Sequence, residues 1–541
     1  MKLFLVALTL ISVFSVNSQN LNYQKELERM VKVPNTPEAE AFTKYGNTSV
    51  SMYSGTPNIS IPIYTISGRE LDLPISLTYD ASGIKVAQLA TQAGLGWNLN
   101  VGGRVSRIIN GLVDDYAYIA PGASSYTSIY NNSNIYVGGS LTNKTLSQWI
   151  INNLNPPQTF NSKQDAIDYF KFLKDISDNK LDVQPDYFSF NALGYSDHFV
   201  FDFKSRTFKS LDNPRTKVVV NFENGVDNYI TSWIVTTEDG TKFYFNQAEK
   251  THAVNYNDIG GSNSYVYQDY NSSWLLTKIE SPNLKDIYVF TYTDLGLSNT
   301  QPSIVTTSVT NELSDPNPTT TGSVNIQNTD YNVTQLPLTQ ITHNGKKVVD
   351  ITLKQRFDIK NQNNSPFTSA IDNIAVYIFD GISVLKRFTF NHSYFGITSG
   401  TNPAIQDPSS IRLKLDSISI KSANNTNLSS YTFEYFSPEL VPDRASLSQD
   451  YLGFYNGKTN SVLYPAVTIN NTNFSGADRS PVFSQAIKGT LKKLIYPTGG
   501  FTEFAYEAMK TTYTTTDVSS STQDVTYAYY SLTGGIGSSA N

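Results

Sequence analysis

Acid–base or metal chemistry in this chain would have to come from four histidines, His198, His252, His343 and His392, and from 46 carboxylates. No two of the histidines stand at metal-ligand spacing, and no cysteine is present to supply a thiolate, a disulfide or a sulfur-ligated metal. The chain contains no His-Glu-x-x-His, no Gly-x-Ser-x-Gly and no Walker loop. Gly94-Leu95-Gly96 starts like a dinucleotide turn, but Leu99 stands where the third glycine belongs. Those glycines are better read as permitting close backbone approach, with Trp97 packed across them and Gly102-Gly103 making a tight hairpin turn. Asp114-Asp115 could join a calcium or sugar site, yet paired acids after a strand read first as a solvated turn. Glycoside hydrolysis needs two facing carboxylates, and 46 acids nominate no pair. Trp233, Trp274 and most tyrosines alternate with small or polar residues, as core strands do, rather than forming a stacking platform. No catalytic, cofactor-binding or metal-ligating residue emerges. The expectation is a non-enzyme without a cofactor.

The elements around these residues read as β-structure. Of 541 residues only 16% are charged, while Tyr (35) and Phe (29) are abundant, a composition suited to pleated strands. The formal charge of −6, without a basic stripe, argues against a nucleic-acid partner. Met1-Lys2, an apolar run over 3–16 and the short side chains of Val16-Asn17-Ser18 form a signal-peptide pattern over 1–18. The product is therefore expected to be secreted or at the cell surface. No later stretch approaches ~18 apolar residues, so no transmembrane segment is expected after signal removal.

Residues 19–36 form a linker or short helix ended by Pro34 and Pro37. A β-hairpin module spans 37–115. In it Ile59, Ile61, Ile63 and Ile66, then Leu71, Leu73, Ile75 and Leu77, define one apolar face. Pro62 and Pro74 lack ladder N–H groups, so each belongs on an edge or at a strand's unpaired positions. An insertion follows over 116–180, with helical spacing around 146–175 that includes Ile167, Phe170 and Leu173. A β-rich scaffold spans 181–509, and a low-complexity tail spans 510–541. A weak repeat recurs within the scaffold, a strand, a turn and a strand ending aromatic-x-Tyr. Its copies run from Lys278 to Tyr292, Leu415 to Tyr435 and Lys493 to Tyr506. The expected fold is mainly β, with antiparallel hairpins in extended, sandwich-like sheets and one small helical insertion.

Ordered motifs carry a resemblance. KYGNTSVSMYSGTPNISIPIYTI (44–66), LDLPISLTYDASGIKV (71–86) and AGLGWNLNVGGRVSRIINGLVDD (93–115) come first. PDYFSFNALGYSDHFVFDF (185–203), DGTKFYFN (239–246), DYLGFYNGK (450–458) and LKKLIYPTGGFTEFAYE (491–507) follow. In this order they resemble the N-terminal region of exported Rhs/YD-repeat proteins of Bacteroidota. The resemblance implies a scaffold that starts or plugs a hollow β shell, partnered by a downstream Rhs/YD shell in the same or another chain. The sequence departs from that family in lacking an extended Tyr-Asp repeat run. Asp315-Pro316 and Asp407-Pro408 also lack the glycine of the Asp-Pro-x-Gly signature. No catalytic residue carries over, because the matched motifs are scaffold. The competing expectation is a secreted adhesin or glycan-binding module that meets cell-surface glycans through exposed Tyr and Trp.

Overall fold

The computed structural model describes residues 55–110, 113–114 and most of 185–508, with strand and helix positions scattered through 134–170 and 511–537. The signal pattern over 1–18, the linker over 19–36 and, apart from positions 163, 167 and 170, the expected helical stretch around 146–175 lie outside the described residues. The fold is mainly β and antiparallel, and one sheet connects 21 strands. Helix is minor: positions 163, 167 and 170 are helical, Phe483–Ala486 makes one turn, and Pro403–Ile405 and Pro438–Leu440 are 3-10 turns. No helix among the described residues is long and apolar enough to cross a membrane.

The alternation at the start of the described chain makes a hairpin. β1 (Ile59–Ile66) and β2 (Leu73–Tyr79) pair antiparallel, and their isoleucines and leucines are buried on one face. Pro62 sits where the register slips. Pro74 lies beyond the stretch of β2, Ser76 to Tyr79, that pairs with β3 (Trp97–Asn100). Both prolines stand in register between β1 and β2, opposite Ser76 and Thr65, and β1 is an edge strand of its three-stranded sheet.

β4 (Gly103–Ile108) corrects the expected turn at Gly102-Gly103. β3 pairs with β2, whereas β4 pairs with Tyr187–Ala192 and with Ser273 to Leu275. The glycines thus carry the chain from one sheet to another. Gly102 has a φ of +88°, and a Cβ on Gly103 would stand 2.5 Å from the Ala192 Cβ. Asp114 corrects the expected solvated turn. It is buried, and its carboxylate accepts the Asp186 N–H at 2.6 Å. Asp186 in return accepts the N–H groups of Asn110 and Asp114, with Arg107 3.5 Å away. Two backbone ends that lie 72 residues apart in sequence are thereby tied together.

The large sheet is built on six successive hairpins. Their opening strands carry Ile230-Thr231-Ser232-Trp233, Leu276-Thr277-Lys278-Ile279, Leu338-Thr339-Gln340-Ile341, Ile371-Asp372-Asn373-Ile374, Leu415-Asp416-Ser417-Ile418 and Leu491-Lys492-Lys493-Leu494. In every copy the first and fourth residues are buried. A plain strand cannot place residues three apart on one face. Each copy solves this with a β-bulge, because the second residue is skipped in the pairing with the preceding strand.

The three aromatic-x-Tyr hairpins belong to this set, and each tyrosine has the same partner. Tyr292, Tyr435 and Tyr506 donate their hydroxyls at 2.7–2.8 Å to the carbonyls of Leu276, Leu415 and Leu491, the first residues of their own hairpins. At one end the meander of Tyr187–Ala192, Tyr195–Asp202 and Thr207–Ser210 packs Phe188, Phe190 and Phe199 against Trp233, Phe243, Phe245 and Trp274. This is the sandwich-like part of the fold. A single apolar cluster runs from Ile59 to Tyr506. In the tail, Thr511–Thr516 pairs with Thr522–Tyr527, and Thr533–Gly537 pairs with Phe501–Glu507.

Candidate functional site

The hairpin sheet has an inner face, the one bearing the buried motif residues, and the chain's own segment from β1 to β3 is seated on it. Polar groups fasten that segment at several stations, because an inserted loop brings backbone N–H and C=O groups that must be paired once buried.

At the first station the buried Asp286 carboxylate accepts the N–H groups of Arg69, Glu70 and Leu71 at 2.5–3.0 Å. Its other partner is the His343 Nε2 at 2.8 Å, and the His343 ring stacks on Tyr288 at 4.4 Å. Burial works to raise this carboxyl, but the three N–H groups and His343 outweigh it and bring it down to about 2. An aspartate beside a histidine invites a catalytic reading. Here both are buried and committed to holding the turn between β1 and β2.

At the second station Arg356, itself buried, donates to the carbonyls of Ala90 (3.1 Å) and Thr91 (2.9 Å). Its guanidinium forks onto Asp358 at 2.8 and 2.7 Å. Burial opposes the Asp358 charge, yet Arg356, the Leu413 N–H and Arg444 hold the carboxyl below its ordinary value. Nearby, Arg412 donates to the carbonyls of Lys85, Val86 and Pro442.

At the third station Trp97 is fully buried between Tyr79 and Phe433, at 5.0 and 4.7 Å between ring centres. Its Nε1 donates to the Tyr435 hydroxyl at 2.9 Å. Gly96 is required beneath it, since its φ is +79° and a Cβ there would stand 2.6 Å from the Tyr79 ring. The sequence reading of close backbone approach holds at this point.

His392 reaches the same segment through Nε2, which donates to the Ala93 carbonyl at 3.0 Å, leaving Nδ1 buried and unbonded. Burial, with Lys354 nearby, lowers its pKa from 6.5 to about 4. The sign follows from linkage. The unfolded chain takes up a proton near 6.5, while the folded one refuses it until about 4. Stability is therefore intact above pH 6.5, falls by about 3 kcal/mol as the pH drops to 4, and levels off below. Melting curves of wild type and His392→Gln, which keeps a donor for Ala93, measure this. An unchanged pH slope in the variant would assign the titration to another group.

Beside the seated segment lies a cavity of about 670 Å³. Gln92, Asn98, Asn100 and Arg104 line it from the N-terminal side, and Glu249 and Tyr292 from the sheet. Arg104 and Glu249 are 3.6 Å apart, and Glu249 also accepts from the Ser273 hydroxyl. The lining offers amides, a single carboxylate and two guanidinium groups, those of Arg104 and Arg356, already paired with Glu249 and Asp358, which suits hydrogen bonding to a polar molecule rather than paired acid–base work.

Trp97, Trp233 and Trp274 are fully buried, which removes them as a sugar platform. Among the described residues no three of His, Cys, Asp or Glu gather to hold a metal. Sequence reasoning nominated none of Asp286, Arg356, Asp358 or Arg412. The usable signal was opposite charge at alternate positions flanked by apolar residues, as in Arg356-Phe357-Asp358-Ile359. No family model matches the chain, and no curated protein does.

Proposed function

We propose that the chain is an exported, non-catalytic β scaffold, the N-terminal part of an Rhs/YD-repeat-type cell-surface or toxin-delivery protein, directed out of the cell by residues 1–18. The observation that carries this reading is the row of six bulged hairpins whose inner face is filled by the chain's own segment from β1 to β3. Hairpins that bury their apolar faces only beside neighbours build extended sheets, and a segment seated along them suits a plug. The ordered motifs of 44–115 and 491–507 point the same way.

The test is the mass of the native product in envelope and medium fractions, detected with an antibody to residues 34–115. A species well above 60.0 kDa supports a front piece of a longer polypeptide. A stable species slightly below it, as signal removal would leave, means that the chain acts alone.

The second reading, a secreted glycan-binding module, is favoured by the amide-lined cavity rather than by the tryptophans. Glycan-array binding that disappears in Asn98→Ala, with the fold intact, supports it.

A further inference from the structure

The hairpins meet one another by a fixed rule. Five times, two alternate residues of a closing strand face the fourth and first residues of the next opening motif. The pairs are Phe243 and Phe245 with Ile279 and Leu276, then Phe290 and Tyr292 with Ile341 and Leu338. Ile351 and Leu353 meet Ile374 and Ile371, Phe390 and His392 meet Ile418 and Leu415, and Phe433 and Tyr435 meet Leu494 and Leu491. In every case the incoming strand is bulged at its second residue.

The sixth closing strand, Phe501–Glu507, carries the same outward signal, Phe504 and Tyr506, both buried. What pairs with it is Thr533–Gly537, in straight register, with Ile536 opposite Phe504 and Gly534 opposite Tyr506. The bulge is missing, and a glycine stands where the rule puts a leucine or isoleucine. Three of the five residues in that strand are glycines, which pair weakly in sheets because they bring no side chain and lose more chain entropy.

We propose that the outer edge of Phe501–Glu507 is a docking site for a strand of the pattern Leu/Ile-x-x-Ile/Leu supplied by a partner polypeptide, and that Thr533–Gly537 is a placeholder which that strand displaces. Main-chain pairing supplies attachment, and the two apolar side chains, set onto one face by a bulge, supply selectivity. The inference rests on hairpin geometry and not on the family reading; a stable product near 60.0 kDa leaves the strand to a partner, whereas a much longer product would place it in the same polypeptide and overturn the partner assignment.

The test uses the full chain and a labelled peptide with the sequence of residues 490–496, TLKKLIY. Fluorescence anisotropy should show saturable binding, and hydrogen exchange should show new protection at Phe501–Glu507. Gly535→Pro, which weakens the placeholder by removing an N–H, should tighten binding about tenfold. Changing both peptide leucines to aspartate should weaken it by at least about tenfold. Binding indifferent to the aspartates, protection elsewhere, or no gain with Gly535→Pro would overturn the proposal. So would self-association of the Gly535→Pro variant without peptide, which would assign the edge to a second copy.

Discussion

Replacing Asp358 with asparagine should cost about 3–5 kcal/mol of stability, read as a fall in the midpoint of urea unfolding. The substitution keeps the shape of the side chain and removes its charge. Arg356 and Arg412 are almost wholly buried, as is Arg444, which donates to the Asp358 carbonyl. Asp358 is the carboxylate that Arg356 grips in a fork. Without it, buried guanidinium charge has lost its nearest counter-charge, and the Leu413 N–H loses an ionised acceptor. The second arm is the double variant Asp358→Asn/Arg356→Met. A buried pair removed together costs less than one partner removed alone, but the Ala90 and Thr91 carbonyls then lose their donor and Arg412 and Arg444 stay buried, so the double variant should recover only part of the loss. A single variant that unfolds at the wild-type midpoint would show that the cluster is hydrated and contributes little.

Trp97→Ala should be comparably damaging, at about 3–5 kcal/mol, because it empties the space between Tyr79 and Phe433 and deletes the donor to Tyr435. Trp97→Phe separates the two effects. It keeps ring contact and loses the hydrogen bond, for a cost of about 1 kcal/mol. Thermal unfolding measures both, and limited proteolysis between residues 80 and 96 reports whether the seated segment lifts before the rest melts. A Trp97→Ala protein that melts like wild type but loses glycan binding would reverse the assignment of this residue to the core.

The hairpin of β1 and β2 was legible because its alternation is nearly regular and its apolar set is large. Three of the six sheet hairpins were legible through aromatic-x-Tyr. The other three were not, because Phe243-x-Phe245, Ile351-x-Leu353 and Phe390-x-His392 fill the same stations with other residues. The more general signature, two apolar residues three apart, resembles helical spacing. A bulge makes it a strand, and bulges leave little trace in composition. Gly102-Gly103 was misread for another reason. Two glycines between short strands look the same whether those strands pair with each other or with separate sheets, and only distant partners decide. The polar stations were out of reach because their groups meet across hundreds of residues, as Arg356 meets Ala90 at a separation of 266.

That separation has a consequence for how the molecule is made. β1 and β2 emerge from the ribosome early, with one wholly apolar face, and their hairpin is local enough to form at once. Its resting place does not yet exist. Tyr79 receives the Leu491 N–H, 412 positions later, and Trp97 waits 338 positions for Tyr435. Non-local pairing of this kind is slow, and unpaired apolar strands aggregate in the interval. The first hairpin to form is therefore the one left longest without a surface to cover it. A polypeptide carried across a membrane before folding would meet all its strands together on the far side, and would shorten that interval.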